Sequence, residues 1–225
     1  VVLTVPGRRA IDGPAPDMTG VLFLLLALAT VAFDGLNKTF WYLDLIAVNP
    51  LEFPGRSAVM AENTVGLVAM FLAMLACYLG AVWAGGRIGG ASRPLADAAP
   101  LVLSLLPISL AFHFSHYLTV ALVNGQYALA AASDPLGNGA DLLGLGHFHV
   151  TTSFLNDLHA VETIWNVQSG AIVSAHVWAV VLSHAIALRR CGDPRRAALS
   201  QAPMAALMVA YTVFGLWLLS TPTGL

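Results

Sequence analysis

The 225-residue chain is 58% hydrophobic and only 10% charged, with a mean hydropathy of +0.77. A soluble domain is roughly a quarter charged, so this chain lacks the polar surface needed to face water on every side. A net charge of −2 without a basic tract argues against nucleic acid as a partner and makes the lipid bilayer the first one.

A start at Val1 rather than Met reads as a processed chain or a piece of a longer protein. No signal peptide is read at this end, because Arg8 and Arg9 are followed by Asp12, Pro14, Pro16 and Asp17 before any apolar run. A helix needs about twenty apolar residues to cross the hydrocarbon core. Five segments answer to that. The first runs from Met18 to Phe33 and continues through Asp34 to Leu36. The others are Val65 to Ala84, Ala98 to Val123, Thr163 to Leu188 and Ala202 to Ser220. The predicted fold is therefore all-α, a polytopic transmembrane bundle of five helices forming a single domain over residues 1–225. Residues 37–64 and 124–162 are its outer loops. Pro107, inside the third segment, removes a backbone hydrogen bond and should kink that helix just before its histidines.

Lys and Arg set the orientation. Arg8, Arg9, Arg87, Arg93, Arg189, Arg190, Arg195 and Arg196 fall on one side, and only Lys38 and Arg56 on the other. The N-terminus is then inside and the C-terminus outside, an alternation that five spans satisfy. In the first outer loop, Thr39-Phe40-Trp41-Tyr42 suits the headgroup level, and Pro50, Pro54 and Gly55 interrupt regular structure. The second outer loop has no Lys or Arg but carries Asp134, Asp141, Asp157 and Glu162. Asp134-Pro135 and Gly137-Asn138-Gly139 read as turns, and Leu142, Leu143, Leu145 and Phe148 imply contact with the membrane surface. Cys77, in an apolar run, and Cys191, beside an arginine cluster, are not expected to pair.

All seven histidines lie between His113 and His184. Ionisable groups inside a membrane are costly and usually face the bundle interior. His113 and His116 are spaced i, i+3 on one helix face, and an antiparallel fourth helix would bring His176 roughly level with His113. Such imidazoles suit a transition metal (copper, zinc or iron) or a haem. The alternative is that each simply bonds to a neighbouring helix. In the outer loop, His147 and His149 would point the same way from an extended segment. With His159 and Asp157 they would make a zinc or copper site, unless the loop is only a solvated polar surface. Were that loop to fold down, it would join His116, Asp34 and Glu62 in a mixed cluster at the outer face. Asp34 has three open roles: capping, a salt bridge to Lys38, or metal binding. Met70, Met74 and Cys77, at i, i+4, i+7, are soft ligands for Cu(I) or else gap-filling sulfur. Gln168 and Asn166 within the fourth span need partners and should face inward. Gly85-Gly86-Arg87-Ile88-Gly89-Gly90 follows no strand and reads as an inner loop.

Several stretches together resemble a family. They are Ala29-Thr30-Val31-Ala32-Phe33-Asp34-Gly35-Leu36, Val48-Asn49-Pro50-Leu51-Glu52-Phe53-Pro54-Gly55-Arg56-Ser57, His116-Tyr117 followed by Gly125-Gln126 and Ser133-Asp134-Pro135, and Gln168 with Ala171-Ile172-Val173 and His176-Val177. The chain resembles the C-terminal half of poorly characterised bacterial polytopic membrane proteins, some of which are labelled fenitrothion hydrolase. The resemblance implies further helices upstream, a bacterial cytoplasmic (inner) membrane location, and hydrolysis of organophosphate esters, which usually uses a metal-activated water. The expectation is thus a membrane protein with a His-based metal site between the third and fourth helices, His113, His116 and His176 first. A haem b electron-transfer subunit of a respiratory complex and a metal-free accessory or transport subunit are the alternatives. Other membrane subunits or an upstream half of the same protein are the expected partners.

Overall fold

The computed structural model describes residues 8–51, 55–146 and 148–222. Among them it has helices and connecting segments and no strand, and five helices are long and apolar enough to cross a membrane. A short α1, Arg8–Asp12, precedes the first span, α2, Met18–Leu36. A short α3, Phe40–Leu45, leads to the second span, α4, Met60–Ile88. The third span begins as α5, Ala98–Val102, passes through a 3₁₀ turn at Leu103–Leu105, and continues as α6, Leu106–Ser133. The last two spans are α7, Leu158–Cys191, and α8, Pro194–Ser220.

The break between α5 and α6 is the interruption expected at Pro107, which stands in the first turn of α6. There its missing N–H is one that the helix start would leave unbonded anyway. Several boundaries differ from the sequence reading: α4 runs on through Gly85 to Ile88, because the expected inner loop there continues the helix and only Gly89 and Gly90 lie beyond it, and α8 begins at Pro194 and not at Ala202. Helix α4 starts at Met60, so Glu62 belongs to its first turn and not to a loop. Helix α6 runs on through Asn124 to Ser133, because Gly125 is followed by the helix-favouring run Tyr127 to Ala132. It stops at Asp134, which Pro135 holds out of helical conformation. Helix α7 starts at Leu158, capped by Asp157, whose carboxylate accepts the Ala160 N–H at 3.0 Å. The second outer loop thus shrinks to residues 134–157.

The five spans pack as a ring in the order α2, α4, α8, α7, α6, closing back on α2. The shared interior holds Val21, Leu25, Tyr78, Ile108, Ile172 and Met208, all almost fully buried. Without water between the helices, side chains that bond across them set the register. Ser115 Oγ donates to the Gln168 carbonyl at 2.9 Å, and Gln168 Nε2 donates back to the Ser115 carbonyl at 2.7 Å, tying α6 to α7. Gln168 therefore faces inward as expected, whereas Asn166 is exposed. The Tyr211 hydroxyl donates to the Leu28 carbonyl at 3.2 Å and joins α8 to α2. Tyr78 does the same for α4 and the Ala98 carbonyl, and Ser183 meets Gln201 between α7 and α8.

The charged residues sort by end. Arg189 pairs with Asp12, and Arg190 with Asp97, so α1, the start of α5 and the end of α7 meet at the end the charge asymmetry assigns to the cytoplasm. Hydrogen bonding to Arg8, with Arg189 adding to it, holds the Asp12 carboxyl below its usual range. There α7 turns into α8 through Gly192, at φ 68°, and Asp193, which caps Arg195 N–H. Both cysteines are free. At the other end Tyr42, pushed up by burial and the nearby Glu62 charge, donates its hydroxyl to the Glu62 carbonyl at 3.1 Å.

Close approach of α4 to α8 depends on Gly85, where a Cβ would collide with the Ser200 backbone carbonyl. A backbone atom cannot swing aside, so Gly85→Ala should destabilise the bundle by about 1–3 kcal/mol, the usual cost of overpacking. Thermal unfolding of the purified protein in detergent checks this, with Gly125→Ala, at an open position, leaving the midpoint close to wild type.

Candidate functional site

Asp34 lies in the last turn of α2, before the Asn37 N–H closes the helix on the Phe33 carbonyl at 2.8 Å. Its carboxylate is three-quarters buried and has partners on two elements. His116 Nε2 on α6 lies 2.7 Å from Asp34 Oδ2, a distance at which the ring N–H donates to the carboxylate. Lys38 Nζ, one turn further along the chain, is 3.0 Å from the same oxygen, and the Tyr117 hydroxyl is 3.4 Å away. A lone charge within the hydrocarbon costs about 2.5–3.5 kcal/mol, and this shared arrangement offsets it. The His116 ring also packs edge-on against Tyr117 with centroids 4.8 Å apart.

In front of the carboxylate is a cleft of about 390 Å³, lined by Asp34, Asn37, Asn63, Thr64 and Tyr117 among others. The Asn37 and Asn63 side-chain oxygens are buried without a hydrogen-bond partner. The Thr64 hydroxyl donates to the Met60 carbonyl at 2.7 Å, which leaves its oxygen as an acceptor. The cleft is a polar recess at the outer ends of α2 and α4, with two unpaired amide oxygens, backed by a shared negative charge.

The structure separates the imidazoles that the sequence reading grouped. His113 turns Nδ1 to its own helix, 2.8 Å from the Ser109 carbonyl. His176 does likewise, 2.9 Å from the Ile172 carbonyl, and its buried Nε2 has no hydrogen-bond partner. Its neighbour on α6 is Phe112, at 6.3 Å between ring centroids. Of the three, only His116 reaches across to a carboxylate. His149 and His159 are exposed, His159 in the first turn of α7, and His147 lies outside the described residues. Glu62 is exposed beside Tyr42 and takes no part in the Asp34 pairing. Among the described residues no three His, Cys, Asp or Glu side chains form a group able to hold a metal ion.

The acids of the second outer loop are bonded to backbone. Asp134 accepts the N–H groups of Asn138 and Gly139 at 3.0 and 2.8 Å. Asp141 accepts those of Leu145 and Gly146 at 2.7 and 2.9 Å and the Ser133 hydroxyl at 2.9 Å. Gly146 chiefly, then Ser133 and Leu145, hold the Asp141 carboxyl below its usual range. Gln126 docks the loop on α6, exchanging two 2.9 Å hydrogen bonds with the Thr151 backbone. Sequence reasoning missed Gln126 as a docking residue and the Asn37 and Asn63 pair. The two asparagines stand at the ends of apolar runs, a position where polar residues are ordinary.

No family model, curated protein or solved structure matches this chain.

Two outcomes follow from the geometry. Asp34→Ala leaves Lys38 and His116 without their shared acceptor and should destabilise the protein by about 2–4 kcal/mol. A double-mutant cycle of Asp34→Asn and His116→Phe, read by chemical denaturation, should return a coupling of about 1 kcal/mol or more. In the loop, a carboxyl depressed by folding stabilises above its unfolded pKa and loses that contribution as pH falls through its folded value. Residues 134–157 should therefore become more sensitive to an acid-tolerant protease below about pH 4, and Asp141→Asn should bring that sensitivity to neutral pH.

Proposed function

We propose that this integral membrane protein is a transport or accessory subunit whose working element is the Asp34–His116–Lys38 charge cluster. The cleft before it receives a small solute that donates hydrogen bonds or carries positive charge. The observation that carries this reading is the 2.7 Å contact between Asp34 and His116, made across two spans and opening onto acceptors without donors. Asp34 has Lys38 and His116 as partners, and a bound cation competes with both for one carboxylate.

The test uses proteoliposomes adsorbed on a solid-supported membrane, challenged with a pH step and with Na⁺, methylammonium and choline. The wild-type protein should give a charge displacement for the pH step and for at least one cation. Asp34→Asn and His116→Phe should each reduce it by about fivefold or more. Responses equal to empty vesicles, or unchanged in Asp34→Asn, would sink the proposal.

A metal-dependent hydrolase, which the resemblance implies, is the second reading. One observation favours it: a carboxylate holding one ring nitrogen is how metal-bound histidines are commonly oriented, and Asp34 holds His116 in that manner. The donor set does not fit beyond this pair. Lys38 occupies the carboxylate, Asp157 caps α7, and among the described residues His113, His116 and His176 form no group able to hold a metal ion. Zinc, iron or copper that copurifies and falls away in His116→Phe would favour the metal reading, and metal content indifferent to that change would remove it.

A further inference from the structure

A second cavity, of about 240 Å³, lies deeper in the bundle among α2, α4, α6 and α8. Met70, Met74 and Cys77 line it from α4, and Met208 lines it from α8. The first three share one helix stripe by their spacing. Met208 comes from the opposite wall and is almost fully buried. The two hydroxyls in the lining are committed elsewhere, Tyr78 to the Ala98 carbonyl and Tyr211 to the Leu28 carbonyl. The rest of the wall is apolar, so these sulfur-bearing side chains are its remaining candidate donors.

We propose that this cavity is a binding site for a soft monovalent cation, Cu(I) or its surrogate Ag(I), held by Met70, Met74, Cys77 and Met208. Thioether and thiolate ligands select Cu(I), whereas hard cations need oxygen donors that this wall lacks. On binding, the Cys77 thiol gives its proton to a thiolate carrier that delivers the Cu(I), and the Cys77 thiolate forms the bond to the cation as the carrier leaves as the thiol. The charge of the cation is thereby cancelled within an apolar surround, and copper enters and stays as Cu(I) with no electron transferred. Cys77 is exposed on the surface of the bundle within the α4 span. The site shares no residue with the Asp34 cleft and stands or falls independently of it.

The experiment titrates the purified full chain, reduced and in detergent, with Cu(I) against a chromophoric Cu(I) chelator, and reads the bound copper by X-ray absorption. One Cu(I) per chain with a sulfur-only shell is expected. Cys77→Ser with Met74→Leu should weaken binding by about a hundredfold, and Met208→Leu alone by about tenfold, the scale seen when metal-site residues are removed. Leu and Ser are close in size to the residues replaced, and an unchanged unfolding midpoint shows that the variants are folded. In a Cys191→Ser background, Ag(I) should protect Cys77 from maleimide. Failure of the wild-type protein to hold Cu(I) against the chelator, a shell containing imidazole nitrogen, or equal affinity in the folded Cys77→Ser/Met74→Leu variant would overturn the proposal.

Discussion

A carboxylate placed within a membrane span must share its charge or give it up, and the outer half of this bundle is arranged about that constraint. Asp34 shares it with His116 and Lys38. The first of these contacts joins α2 to α6, and the second keeps the chain close to the end of α2, where Thr39 then caps α3 by accepting the Tyr42 N–H at 3.2 Å. Tyr42 in turn reaches α4 through the Glu62 carbonyl and packs edge-on against Phe33, 5.4 Å between ring centroids. One charge thus anchors a chain of contacts that fixes three spans at the outer face. The cleft lies where those spans diverge.

Polar bonding elsewhere in the spans follows the same rule at lower cost. Water is absent between the helices, so a polar group must find a partner on its own helix or on the next one. Serines, threonines and histidines mostly choose their own helix, as with Thr64 to Met60 and His113 to Ser109. Glutamine and tyrosine reach further and bond across. That division explains why Gln168, Gln201, Tyr78 and Tyr211 set the register while most of the imidazoles do not.

The spans were legible because a bilayer demands long apolar runs, and the arginine asymmetry made their alternation legible as well. Span ends were less so. The sequence of α4 from Met60 to Thr64 looks like loop by polarity, yet Glu62 in a first turn favours the helix through its dipole. Gly125 looks like a break, yet the alanines beyond it carry α6 onward. At the site, Asp34 and its bond to Lys38 could be read locally, since the residues are one turn apart. Its bond to His116 spans 82 residues and depends on how α2 and α6 rotate against each other, which no local pattern encodes. The loop acids misled for a physical reason: carboxylates suit metals, but glycine-rich turns expose backbone N–H groups that bind carboxylates equally well.

The clustering of histidines invites a metal reading, but number and depth alone do not make a ligand set. A ligand set needs free ring nitrogens aimed at one point. An imidazole on a membrane helix has an acceptor always within reach, the carbonyl one turn back, and His113 and His176 both settle on it. Each such bond ties up Nδ1 and leaves the other ring nitrogen over, as with the buried Nε2 of His176. His116 escapes because Asp34 offers a charged acceptor, which makes a stronger bond than a carbonyl does. Sulfur side chains face no such competition, since a thioether has no proton to donate and only weak acceptor strength. Met70, Met74 and Met208 line a common cavity without that competition for their sulfur.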